Sequence, residues 1–344
     1  MNINNMIISN KSKPFIIAEM SNNHLCDLSI AKKIIEKAAE CGADAIKIQT
    51  YTADSLTIDC NKPEFMIQDE LWKGQSYYKL YKDIAMPLEW TSILFEHAKK
   101  HNIIIFSSPF DEESVRLLET LNCPLYKIAS FEMQDFALLK AVAQTGKPVI
   151  MSTGIATLDE IKKSISFLKE HGCTDVAVLH CISSYPSSFE QMNLLAIKEL
   201  QSLDVLYGLS DHSFTNIPSI AAIAMGATII EKHFTLDRAL GGPDADFSIT
   251  PDELTSLVNE TKSTWLALGN KDIFNNTKRP GKHHGRSIYV TKKMNAGDIL
   301  TKENTRIIRP GFGLSPTHYE EILGKKVCAD ISFGTALTWE HIHE

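Results

Sequence analysis

TIIEKHFTLD, residues 228–237, opens as a strand meant for a core and then runs into Glu231, Lys232 and His233 with no turn residue between. Other stretches share its character: FIIAEM (15–20), AIKIQT (45–50), IIIFSSP (103–109), YKIAS (126–130), PVIMST (148–153), VAVLHC (176–181) and VLYGLSD (205–211). Each is short, rich in Ile and Val, and mostly apolar without alternation, the pattern of a parallel strand buried on both faces. Helical patterns lie between them, among them SIAKKIIEKAAECG, ESVRLLETLN, DEIKKSISFLKEHG and IPSIAAIAMG, and several end in or near Gly, a common helix stop. Repeated βα units of this kind, eight in all, predict an α/β fold, a (β/α)8 TIM barrel, for which about 265 residues is a usual size. A doubly wound open sheet is the alternative, but no GxGxxG follows the first strand.

The barrel explains the charges. In this architecture the carboxyl ends of the strands form the catalytic face. Nearly every strand here finishes in polar residues: Glu19; Lys47 and Gln49; Ser107 and Ser108; Lys127, Ser130 and Glu132; Ser152 and Thr153; His180; Ser210, Asp211 and His212; Glu231, Lys232 and His233. Strand ends tolerate polarity where they meet solvent, but so many converging on one rim predict a polar cavity. His212 and His233 end the seventh and eighth strands, so their imidazoles are expected to meet over the mouth. Two neutral imidazoles with open positions for oxygen ligands suit Mn²⁺, Mg²⁺ or Co²⁺, with Asp211 placed to orient one ligand. The other reading is a pair of hydrogen-bonded structural histidines. His180, inside an apolar strand, reads as structural. Lys47 and Lys127 with the hydroxyls of Ser108, Ser130, Ser152 and Ser210 suit a phosphate or carboxylate. A Schiff-base role for Lys127, or a plain surface lysine, is the alternative.

The chain has 344 residues, 44% hydrophobic and 22% charged, with a net charge of -7. That balance, without basic clusters, argues against a nucleic-acid partner. The N-terminus lacks the basic start and apolar stretch of a signal peptide, and no apolar run approaches a membrane span, so a cytoplasmic enzyme without membrane partner is expected. The seven cysteines lack CxxC spacing and read as reduced thiols. The barrel is expected over 1–268, a Gly-, Asn- and Lys-rich linker over 269–284, and a small mostly-β domain over 285–344 with turns at AGD and FGT. A domain of that size has a marginal core and is expected to dock on a surface. The long connection 51–88, which includes LWKGQSYYKLYK, is aromatic. It is read either as shaping the pocket or as a loop tethered by its own aromatic cluster.

IIAEMSNNH, AIKIQTY, FSSPFD, YKIAS.E, MSTGIAT, LHCISSYP, GLSDHS, EKHFT and GGPDADFS, in this order, resemble the sialic acid synthase (NeuB-like) family, and the tail resembles its antifreeze-like SAF domain. The resemblance covers nearly the whole chain. It implies metal-dependent condensation of phosphoenolpyruvate with an N-acetylated amino sugar, releasing phosphate and giving a nine-carbon 2-keto acid. By that resemblance His212 and His233 are metal ligands. Lys47, Ser108, Lys127, Ser130, Ser152, Ser183, Tyr185 and Ser210 contact phosphoenolpyruvate, and Glu19 lies near the reacting carbons. Gln49, Glu132, Tyr185 and Asp244 contact the acceptor sugar. Arg309, in the RPG of the tail, reaches the partner subunit's sugar in a domain-swapped homodimer. Ser183 and Ser108 stand where the sialic acid branch can carry Asn and Thr. The segment LWKGQSYYKLYKDIAMPLEW is similar to that of the pseudaminic acid branch, whose acceptor is a 2,4-diacetamido-2,4,6-trideoxy altrose. N-acetylmannosamine or another diacetamido hexose is the alternative acceptor. The product implied is a precursor of bacterial surface glycans, such as those on flagellin. A pyruvate-dependent metal aldolase, or an inert barrel carrying a carbohydrate- or ice-binding tail, are the other classes.

Overall fold

The computed structural model describes residues 1–4, 6–67, 74–173, 175–269, 271–275 and 279–343. Part of the aromatic connection (68–73, including Trp72) and part of the expected linker (270 and 276–278) lie outside the described residues. The chain divides into two compact units, Met1–Gly269 and Asn270–Glu344.

In the first unit eight parallel strands close into a barrel. They are β1 (Phe15–Glu19), β2 (Ala45–Thr50), β3 (Ile104–Pro109), β4 (Tyr126–Ile128), β5 (Val149–Ser152), β6 (Val176–His180), β7 (Leu206–Asp211) and β8 (Ile229–His233). β8 closes the ring by pairing with β7 on one side and β1 on the other, with His233 opposite Glu19. The helices that follow the strands are α1 (Leu28–Glu40), α2 (Trp90–Lys100), α3 (Glu112–Thr120), α4 (Phe136–Ala143), α5 (Leu158–Glu170), α6 (Ile197–Leu200), α7 (Ile217–Ala224) and α8 (Pro251–Leu268). Several carry start signals in their sequences. Asp27 accepts from the amides of Ser29 and Ile30 to begin α1, while Thr157 with Glu160, and Thr250 with Glu253, form reciprocal caps on α5 and α8. α1 buries Ala31, Ile34, Ile35 and Ala38, one face of a 3.6-residue period. These pack with Ile16, Ala18, Ile46 and Ile230, the strand residues that face the helical layer.

The alternation of a strand separates the three polar residues of β8. Glu231 and His233 turn into the barrel with Ile229. Lys232 turns outward with Ile230, and its ammonium lies 2.9 Å from Asp211 and donates to the carbonyl oxygens of Ser213 and Thr215. Asp211 also accepts from the Ser219 hydroxyl and the Ser213 amide. The expected role of Asp211 in orienting a histidine is therefore corrected: its carboxylate is fully occupied on the outer side of the strand, where it ties the β7–α7 turn to β8.

The second unit pairs β9 (Ser287–Val290) with β10 (Thr305–Ile308) in antiparallel register. Further bridges join Tyr289 to Ala336, Met294 to Ile331 and Val327 to Ile342. Its core is Ile288, Val290, Met294, Leu300, Ile322, Val327, Ile331, Leu337 and Ile342. The expected turns contain Gly297 and Gly334 at φ of 91° and 81°, a conformation that favours glycine. Among the described residues no helix is long and apolar enough to cross a membrane.

Asp211→Ala leaves a buried ammonium without its carboxylate. Loss of one partner of a buried pair costs roughly 3–5 kcal/mol. Denaturant unfolding of this variant is expected to show a loss of that order. A change within about 0.5 kcal/mol would mean that Lys232 finds a substitute partner or loses its proton.

Candidate active site

The carboxyl ends of the strands surround a cavity of about 290 Å³. Glu19, Lys47, Gln49, Lys127, Ser130, Glu132, Ser152, Tyr185, Ser210, His212, His233 and Asp244 all line it. Ser108 and Ser183 stand directly behind this wall, the first within reach of Lys47 at 3.4 Å and the second sharing a 2.8 Å hydrogen bond with Ser130. Arg309 belongs to the second unit, where it is exposed just after β10.

The two lysines and two carboxylates form one array. Lys47 Nζ is 3.1 Å from Glu19 and 3.5 Å from Glu231, and Lys127 Nζ is 3.8 Å from Glu231. Lys127 also donates to Ser152 Oγ at 2.6 Å and to the Ile128 carbonyl. All four charged groups are at most 4% exposed. Burial pushes the Glu19 carboxyl up to about 7, with Lys47 opposing and Glu231 adding to the rise. Glu231 goes the other way: burial disfavours its charge, but Lys127 and Lys47 outweigh that and hold it below the usual range. Lys47 is raised, because Glu19 and Glu231 overcome its burial, while Lys127 is lowered by burial that its partners do not offset. The site thus holds two carboxyls of unlike acidity, one suited to carry a proton near neutrality and one suited to stay charged.

Glu231 is the main residue to which the sequence assigns no role. It accepts from the Ser210 hydroxyl at 3.2 Å and stands between both lysines. Its second oxygen is buried with no hydrogen-bond partner. The signal is its period-two spacing from His233, which sends both side chains inward.

Beside this array stand the imidazoles of His212 and His233, their ring centroids 5.4 Å apart. His212 donates from Nδ1 to the Ile182 carbonyl at 2.9 Å, so the Nε2 lone pair is the free one, with Ser210 Oγ at 3.3 Å. His233 Nδ1 is buried and unpartnered. Burial holds both rings neutral, His233 especially, where His212 and Lys47 add to the effect. Two neutral rings with lone pairs over a polar cavity fit the donor set of a divalent cation with open positions. The backbone carbonyl of Ile182, rather than Asp211, sets the tautomer of His212. His180 donates from Nε2 to the Met192 carbonyl at 2.7 Å, as befits a structural residue.

The outer part of the cavity is more aromatic. Tyr185 lies against His212 at 4.3 Å between centroids, and Phe247 packs on His233 at 5.0 Å. Tyr81, Phe110 and Phe131 also line the cavity. Tyr81 comes from the long connection and is held by Tyr51 and Tyr77. Both readings of that loop therefore apply: an aromatic cluster tethers it, and one ring of the cluster reaches the cavity. Asp244 accepts from the amide of Asn22, and Gln49 donates to Glu19 and Ser21. Burial raises Glu132 to about 6, with Lys127 opposing.

A closed parallel barrel with a buried cation–carboxylate array and paired imidazoles at its carboxyl rim has the architecture of a TIM-barrel enzyme. The NeuB family matches residues 34–273 and the SAF domain residues 285–343, and the chain belongs to the NeuB family. It is 43% identical to a pseudaminic acid synthase of Campylobacter jejuni, over 94% of this chain and 95% of that protein. It is 36% identical to an N,N'-diacetyllegionaminic acid synthase of the same strain, over 91% and 95% respectively. The crystal structure of an N-acetylneuraminic acid synthetase from Leptospira borgpetersenii superposes with a TM-score of 0.71 at 35% identity, covering 79% of this chain and 91% of that one.

An ordinary Glu ionises near 4.5 and Glu19 near 7. Between those values the folded chain keeps a proton that the unfolded chain has released, so stability falls as pH rises through that window. Glu19→Gln has no carboxyl to ionise. In metal-free protein it is expected to unfold at a higher temperature than the unaltered chain at about pH 8.5, with a smaller difference at about pH 5. Calorimetric scans at both pH values test this; an advantage largest at the lower pH reverses the assignment.

Proposed function

We propose that this protein is a pseudaminic acid synthase, condensing phosphoenolpyruvate with 2,4-diacetamido-2,4,6-trideoxy-L-altrose and water to give pseudaminic acid and phosphate. The likeness carries the reading: over almost the same length the chain is more similar to the pseudaminic than to the legionaminic acid synthase of one strain. The buried array supports the phosphoenolpyruvate half. A doubly anionic substrate needs fixed cations, and Lys47 and Lys127 supply two, with Ser108, Ser130, Ser152, Ser183 and Ser210 as hydroxyl partners.

In this reading C3 of phosphoenolpyruvate attacks the aldehyde carbon of the open-chain sugar, the carbonyl π pair moves to the aldehyde oxygen, which takes up a proton, and positive character develops at C2. Water adds at C2 and one of its protons passes to a base; the bond from C2 to the phosphate oxygen then breaks, phosphate leaves, and the new C2 hydroxyl gives up its proton as it becomes the keto group. Glu19, raised toward neutrality, is suited to stabilise the cationic carbon or to take that proton. Glu231 keeps both lysines oriented while the negative charge they hold moves. Gln49, Glu132, Tyr185 and Asp244 are assigned to the acceptor, with Tyr81 as an apolar wall suited to a deoxy carbon. His212 and His233 would hold a divalent cation, Mn²⁺ in the first instance, which supplies Lewis-acid polarisation of the aldehyde. A homodimer, in which Arg309 serves the partner's acceptor, and a cytoplasmic setting belong to the same proposal.

Phosphate release from phosphoenolpyruvate with Mn²⁺ tests it. Release is expected with the diacetamido-trideoxy altrose and at least about tenfold less with N-acetylmannosamine, a discrimination that one well-placed contact set supplies. Release favouring N-acetylmannosamine or the legionaminic acceptor would move the protein to another branch. Glu19→Gln is expected to lower kcat far more than it changes KM, and a rise in KM alone would remove Glu19 from the chemistry. His233→Ala is expected to abolish turnover that depends on metal.

A further inference from the structure

On the outer wall of the barrel, His97 of α2 and His101, which caps its end, stand one turn apart beside Glu36 of α1. His97 Nε2 is 2.9 Å from Glu36 Oε1, and His101 Nε2 is 4.0 Å from the same oxygen. The two rings are 4.7 Å apart at 43°. One ligand atom from each residue lies within 4.8 Å of the others. Zn²⁺ bonds of about 2.0–2.2 Å in tetrahedral geometry place ligand atoms about 3.4 Å apart, so these separations bracket what a metal requires. Hydrogen bonding alone serves the trio less well, since the oxygen that meets His97 leaves His101 beyond reach.

The surroundings select the metal. The last carbonyls of α2 point toward its C-terminal turn, which favours a cation. Lys32, Glu96 and Lys100 border the adjoining surface dent with His97, and the two ammonium groups against one carboxylate oppose a loosely held cation. A single carboxylate is too little for Mg²⁺ or Ca²⁺, whereas two imidazoles and a carboxylate are a familiar set for Zn²⁺. We propose that Glu36, His97 and His101 form a Zn²⁺ site that clamps α1 to α2, separate from the imidazole pair in the barrel mouth. α1 follows the strand that carries Glu19 and α2 precedes the strand that carries Ser108, so the clamp braces two neighbouring βα units from outside.

Zn²⁺ titration by calorimetry of the full chain carrying His212→Ala and His233→Ala tests the site without interference from the mouth. One Zn²⁺ per chain is expected, with an unfolding midpoint that rises with Zn²⁺. Adding His97→Ala and His101→Ala is expected to weaken binding by more than the ~100-fold that loss of a mere outer-shell partner brings. A chain with the mouth intact and only His97→Ala and His101→Ala guards against misfolding: it should turn over as before and bind one Zn²⁺ fewer. No Zn²⁺ in the first variant, or an unchanged stoichiometry in the last, would overturn the proposal.

Discussion

The site depends on keeping four ionisable groups charged or poised inside a barrel where water is scarce. An isolated ammonium or carboxylate at such depth loses several kcal/mol of hydration, and only close opposite charges make the burial tolerable. Glu231 is the hinge of that balance. It stands between Lys47 and Lys127, holds its own charge because both are near, and takes a hydroxyl from Ser210. Glu19 has only Lys47 to oppose its burial, with Glu231 adding to the rise, and its carboxyl is pushed up to about 7. The asymmetry of one carboxyl ionised and one near neutrality follows from where the second lysine sits.

A second charge pair works on the other side of the same strand. Lys232 and Asp211 lie between sheet and helices, and their hydrogen bonds reach the carbonyl oxygens of the β7–α7 turn. That turn begins with His212. The pair therefore anchors the backbone from which one imidazole projects, while Ile182 sets the ring's tautomer. Inward and outward groups of β8 divide the work by strand parity alone: chemistry on one face, anchorage on the other.

The paired imidazoles, the array and the aromatic wall line one cavity. That combination suits the proposed reaction, which joins a small, doubly charged substrate to a larger and less polar one. Relatives named for pseudaminic acid and for N,N'-diacetyllegionaminic acid are 43% and 36% identical to the chain.

The strands and most helices were legible in the sequence, because a parallel strand buried on both faces has to be apolar along its length and a helix has to declare its caps. TIIEKHF announced both the eighth strand and the polar rim. The motif order also carried the family. What the sequence alone left open was partnership. Asp211 sits beside His212 in the chain yet bonds to Lys232, since neighbouring residues of a strand face opposite ways. Glu231 looked no more important than Lys232 until closure of the barrel set it between lysines from β2 and β4. The acidity of Glu19 likewise has no local cause. Local periodicity determines elements, but the charge state of a buried group depends on groups brought to it from distant strands, and only the closed barrel decides which those are.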